Sequence, residues 1–170
     1  MSGNRISLRI LAARELFPYA KVFLGVLFHP RDLMSILNYC AANPAAVPLT
    51  ASAADAIEAM IHRRMGAAAV VDEHGVVAGV FTERDVMTRV ALSGRDPHKV
   101  LITDVMTTPV LLATRSTSIA EATAVMINHQ VRHLPVVEDD GRLIGILSIR
   151  HVLERKVDEL TAQIRESATV

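Results

Sequence analysis

The sequence predicts an α/β fold built from two copies of a β-α-β-β-α unit, and three observations carry that expectation. The first is an internal repeat: Pro44 to Val86 aligns without a gap against Val110 to Val152, an offset of 66 counted from Gly79 to Gly145. The second is composition, because 51% of the chain is hydrophobic but only 4% is aromatic, with no Trp, which suits buried aliphatic strands covered by helices. The third is periodicity, since short apolar runs bounded by Gly-containing turns alternate with segments of helical spacing. One such unit would leave a sheet face bare, so the two copies are expected to pack together within the 170 residues.

Residues 1–30 have no counterpart in the repeat and read as an N-terminal extension. Their apolar run from Leu16 to Phe28 is too short to cross about 30 Å of hydrocarbon. Arg5, Arg9 and Arg14 precede it, but no small-residue cleavage site follows closely, so an added helix or strand that packs on the body or on a partner subunit is expected. The first unit, residues 31–98, opens with a helix over Pro30 to Ala42 that places Leu33, Met34, Ile36, Leu37 and Cys40 at helical spacings. A lead-in strand follows at Ala46 to Leu49. Ser52 to Arg64 then reads as an amphipathic helix with Ala56, Ile57, Met60 and Ile61 facing inward. Strands at Ala67 to Val71 and Val76 to Phe81 are joined by Asp72-Glu73-His74-Gly75, and a helix after Thr82 runs to about Ala91 before Ser93-Gly94 stops it.

The second unit, residues 99–158, repeats this order. It has a lead-in strand near Val110 to Ala113, a helix from Ser118 to His129, strands His133 to Val137 and Leu143 to Leu147, and a turn at Glu138-Asp139-Asp140-Gly141. Its last helix outlasts its counterpart, because Val152, Leu153, Val157, Leu160 and Ile164 continue one apolar stripe into a C-terminal extension at residues 159–170. That seam suits a homodimer contact or packing back on its own domain.

Charge narrows the function. Eighteen basic and eighteen acidic side chains balance, so no long-range field draws the chain to nucleic acid or an anionic membrane, and any phosphate site must be local. Cys40, the single cysteine, cannot form an intrachain disulfide; a cytoplasmic location is expected, with Cys40 a small core residue. His129 and His133 are four apart but no Glu follows His129, so no metal site is expected. Ser148 and His151 lack a third catalytic member, Asp139-Asp140-Gly141 reads as a turn, and no Walker-type lysine loop is present. An enzyme is therefore not expected.

The stretch Gly79-Val80-Phe81-Thr82-Glu83-Arg84-Asp85 closes a strand and opens a helix. Free N–H groups at a helix start, with a hydroxyl beside them, favour a phosphate oxygen, and a carboxylate one turn on suits a ribose diol. The same residues also make an ordinary helix cap. Gly145-Ile146-Leu147-Ser148-Ile149-Arg150-His151 repeats the design with His in place of the acid.

These two segments, with Asp104-Val105-Met106-Thr107 and Arg132-His133-Leu134-Pro135-Val136-Val137, resemble a tandem pair of cystathionine-β-synthase (CBS) domains over roughly residues 31–158. The resemblance implies two units related by a pseudo-twofold axis and a stand-alone regulatory module that binds an adenine nucleotide such as AMP, ADP or ATP between them. The nucleotide is then a regulatory ligand and not a catalytic cofactor, and the signal passes to an effector protein whose identity the sequence does not name. The resemblance further implies that Thr82 contacts phosphate, Asp85 the ribose hydroxyls and Val80 the base. Arg132 and His133 then reach the phosphate across the cleft. Gly66 and Ala67 replace that basic pair in the first unit and His151 replaces the acid in the second, so one competent site and one weaker site near Ser148 and His151 are expected. The competing expectation is a structural or protein-interaction role with vestigial clefts.

Overall fold

The computed structural model describes residues 35–41 and 43–168. The extension over residues 1–30, with its apolar run, lies outside the described residues. Two three-stranded sheets of identical topology are present: β1 (Ala46–Pro48) pairs parallel to β2 (Ala67–Val71), and β2 pairs antiparallel to β3 (Val77–Thr82). Residues 66 later, β4 (Ala113–Thr114), β5 (His133–Val137) and β6 (Leu143–Ser148) repeat the pattern. Gly75 and Gly141 sit at φ +80° and +86°, the left-handed backbone that each hairpin turn requires.

Helix α1 (Ala53–Arg63) starts at Ser52, whose hydroxyl accepts from the Asp55 N–H while the Asp55 carboxylate accepts from Ser52 N–H. Helix α4 (Ile119–Asn128) uses the same reciprocal cap with Ser118 and Glu121. Both end on a left-handed residue that is not glycine, Arg64 and Gln130. Helix α2 (Glu83–Asp85) runs into a π-helical stretch (Val86–Ala91), and α5 (Ile149–Ser167) is the long C-terminal helix. Within α5 only Val152 and Lys156 are buried, whereas Leu153, Val157, Leu160 and Ile164 are each at least half exposed.

Three expectations are corrected. The lead-in strand of the second unit is Ala113–Thr114, because the ladder begins where Ala113 meets Val136, and Val110 and Leu112 instead fill the interface between halves. The described part of the Pro30 to Ala42 helix is a single 3-10 turn, Ile36–Tyr39, after which Cys40 bridges to Leu147. Ile61 is 68% exposed, turned away from the core that Ala56 and Met60 enter.

The two halves exchange their lead-in segments. Ile36 and Tyr39, from the start of the first repeat, pack in the core of the second sheet with Leu134, Val136 and Leu147. Short helix α3 (Ile102–Val105), from the start of the second repeat, buries Ile102 and Val105 in the core of the first. Gly79 and Gly145 permit this: a β-carbon at Gly79 would overlap Met106 Sδ, and one at Gly145 would lie 3.0 Å from Cys40 Cβ. Val77 and Val80 then meet Val110, Leu112 and Val137 in a third cluster shared by both halves.

Candidate functional site

Register decides which residues meet between the halves. Ala67 pairs with Thr82 and His133 with Ser148, so each hairpin brings the first residue of its first strand beside a helix start. Two backbone bonds fix the junctions: Glu83 N–H donates to Gly66 O at 3.1 Å, and Ile149 N–H donates to Arg132 O at 3.0 Å. The junctions face each other, and a cavity of about 510 Å³ opens between them, within the range of ordinary small-molecule pockets.

The cavity has two kinds of wall. Ile57, Met60, Ile61 and Met65 of the α1 region, with Val86 and Ile149, give an apolar side. Arg64, Arg132, Arg150, His133, Ser148 and His151 give a cationic, hydrogen-bonding side, against which Glu83 is the one carboxylate among the described residues. Arg150 is paired along its own helix with Glu154 at 2.9 Å, and Arg132 Nη2 lies 3.5 Å from Glu83 Oε2. Among the described residues Arg64 has no carboxylate partner.

Ser148 is 8% exposed and caps nothing with its side chain, unlike Thr82, because His151 offers no carboxylate to close a reciprocal cap. The hydroxyl is left beside the N-terminus of a 19-residue helix, where backbone N–H groups favour an anion. His133, half-buried, has its pKa pushed below the usual imidazole range by burial first and by the Arg132 charge second. Gly66 lets this junction close: a β-carbon there would stand 3.0 Å from both Glu83 Oε2 and His133 Cε1.

The other helix start is built differently. Thr82 Oγ1 donates to Asp85 Oδ2 at 2.6 Å, Thr82 N–H donates to the same oxygen at 2.9 Å, and Asp85 N–H donates back to Thr82 Oγ1 at 3.4 Å. Oδ1 of Asp85 accepts from Thr107 Oγ1 at 3.3 Å and faces Arg89 Nε at 3.3 Å, while Arg89 Nη1 donates to the carbonyls of Val105 and Met106. Asp85 is 5% exposed, held between its own cap and the connector from the second repeat.

The expected grouping is therefore rearranged. Arg132 does cross to the helix start of the first half, but there it meets Glu83. Val80, Thr82 and Asp85 are not among the residues lining this cavity, whereas Ser148 and His151 are. Arg132 and His133 stand with the very pair expected to form the weaker site. Sequence reasoning missed Glu83, Arg64 and the apolar wall. The signal was present in the repeat, where Glu83 aligns with Ile149 and Arg64 with Gln130 across the 66-residue offset.

Among the described residues no group of His, Cys, Asp and Glu stands close enough to hold a metal ion, and no helix is long and apolar enough to cross a membrane. The family model for the CBS domain matches residues 31–92 and again 102–158. A CBS domain-containing protein of Arabidopsis thaliana, named as mitochondrial, is 33% identical over 109 residues, which are 62% of this chain and 52% of that protein. The chain thus spans about half the length of that relative. A solved CBS-domain structure from Burkholderia ambifaria is 32% identical with a TM-score of 0.63, over 72% of this chain and 93% of that one. Another, a CBS domain protein of Pyrobaculum aerophilum complexed with AMP, is 23% identical with a TM-score of 0.64, over 69% and 89% respectively, and shows a shared fold.

Proposed function

Because the chain belongs to the CBS-domain family, we propose that it is a non-catalytic regulatory module that binds an adenosine-containing nucleotide between its halves and signals to a partner protein. The observation that carries this reading is the two-sided lining of the cavity: one wall suits a purine face and the other suits a phosphate. In the proposed complex Arg132, His133 and the Ser148 hydroxyl hold phosphate at the start of α5, with Arg64 in reach, while Ile57, Met60 and Ile61 cover the base. AMP is the leading candidate, since the Pyrobaculum protein of the same fold is complexed with it. The Thr82 and Asp85 turn, with Val80 beneath it, is the lesser position, because Asp85 can accept from a ribose only by giving up Thr107 or Arg89.

Signalling requires that the ligand bind one arrangement of the halves better than another. The exposed stripe of α5 is the surface we propose for a homodimer, with a cytoplasmic location and an effector still to be identified. The competing role, an interaction protein with vestigial clefts, is favoured by that same stripe.

Calorimetric titration of the full chain with AMP, ADP, ATP, NAD and S-adenosylmethionine separates the two. Saturable binding by at least one member, weakened about 10-fold or more in Arg132→Ala, is the expected result for a lost charged hydrogen bond. Absence of binding by every member leaves the interaction role.

A further inference from the structure

The nucleotide reading leaves one chemical requirement unmet at the cavity. A ribose diol is best held by an acceptor that can take two hydrogen bonds, which a carboxylate does and a neutral imidazole, with a single acceptor nitrogen, does not. His151 stands where the second repeat would need that carboxylate, and Asp85, the acid of the first repeat, is turned away into its own cap and the connector. The cavity nevertheless contains a carboxylate.

We infer that Glu83, contributed by the first half, accepts the ribose hydroxyls of a nucleotide whose phosphate is held by the second half. This rests on the nucleotide reading above. Among the described residues, Glu83 is the one acidic side chain lining the cavity. Its backbone is anchored to Gly66 O, and the missing side chain at Gly66 lets its carboxylate and the His133 ring approach the same point from opposite halves. Its ion pair with Arg132, 3.5 Å long and with both side chains more than half exposed, leaves the remaining carboxylate lone pairs open to a ligand. Arg132 has donors enough to keep Glu83 in place and bind phosphate on another edge. The diol acceptor and the phosphate donors then lie side by side, as ribose and 5′-phosphate do in a nucleoside monophosphate.

The arrangement also has a specificity consequence. A carboxylate beside the phosphate seat repels additional negative charge, so a monophosphate is favoured over a triphosphate. The second repeat supplies no counterpart of Glu83 to the first repeat's own turn, because the aligned position is Ile149.

The test is a comparison of AMP, 2′,3′-dideoxy-AMP and ATP by calorimetry on the full chain, wild type and Glu83→Ala. Wild type is expected to bind AMP about 10-fold or more tightly than the dideoxy analogue, the value of charged hydrogen bonds to the diol. In Glu83→Ala that preference shrinks to within about 3-fold, and ATP gains relative to AMP. A diol preference that survives in Glu83→Ala, or that is lost in Asp85→Ala instead, overturns the inference while leaving the nucleotide reading intact. Equal weakening of AMP and its dideoxy analogue overturns it too, by reducing Glu83 to a counter-ion of Arg132. Failure of wild type to bind AMP at all overturns the nucleotide reading and this inference together.

Discussion

Individual side chains here do their work through what surrounds them. Asp85 shows it: the carboxylate satisfies Thr82 N–H and Oγ1, Thr107 Oγ1 and Arg89 from a nearly sealed position. Asp85→Ala should therefore lower stability by about 1–3 kcal/mol, read by urea denaturation, because it strips a helix cap and unpairs the half-buried Thr82 and Thr107 hydroxyls. Gln130 tells the opposite story. It holds a left-handed conformation at φ 54° without the exemption that glycine enjoys, so Gln130→Gly should raise stability by up to about 1 kcal/mol. His133 gives a pH signature. Its folded pKa lies below the unfolded value of 6.5, so the unfolded chain binds more protons in that window. Its contribution to stability is complete above about pH 6.5 and is lost as pH falls through the folded value. Denaturation at pH 7.5 and 5.5 should show a smaller drop in His133→Gln than in wild type. A phosphate beside the ring reverses the preference, so AMP affinity should rise as the solution is acidified over the same window.

Elements differ in how much of themselves they bury, and α5 is the extreme. Its first turns carry Val152 into the second core, and Lys156 and Tyr39 both engage Glu159. Beyond them the helix presents Leu153, Val157, Leu160 and Ile164, spaced four, three and four apart, along one exposed face. That spacing matches the one a coiled-coil seam uses. For the proposed homodimer, Leu160→Asp is expected to convert a dimer to a monomer in sedimentation velocity without lowering the midpoint of the remaining fold; an unchanged sedimentation coefficient would rule the seam out as the contact. The sheets are tighter. A methyl at Gly79 has nowhere to go but into Met106, so Gly79→Ala should cost about 1–3 kcal/mol, as overpacking does.

At the scale of the whole molecule, the exchange of lead-in segments makes the halves interdependent. Residues 102–105 complete the first core and residues 36–39 complete the second, and Val77, Val80, Val110, Leu112 and Val137 lie between the two sheets. A chain cut at residue 98 would leave each sheet without the segment that covers it. Fragments 35–98 and 99–168 are expected to be unfolded apart, by far-UV circular dichroism and amide exchange, whereas the intact chain should unfold in one transition. The same interlock would give the proposed ligand leverage, since Arg132 and Glu83 come from opposite halves.

Local information was enough to determine the elements. Hydrophobic alternation, the capping residues Ser52, Ser118 and Thr82, and the hairpin glycines Gly75 and Gly141 act within a few residues of where they stand, so the two matching units and their strand and helix order were legible from the chain alone. The resemblance singled out Arg132, His133, Ser148 and His151, and the structure places these four along one cavity. What sequence reasoning missed was who faces whom. Whether Thr82 and Asp85 present their oxygens to a cleft or spend them on a cap, and whether Glu83 rather than Asp85 meets Arg132, depends on contacts between residues far apart in the chain. Those pairings are fixed only when two sheets and two exchanged segments close on one another, and tertiary packing alone decides them.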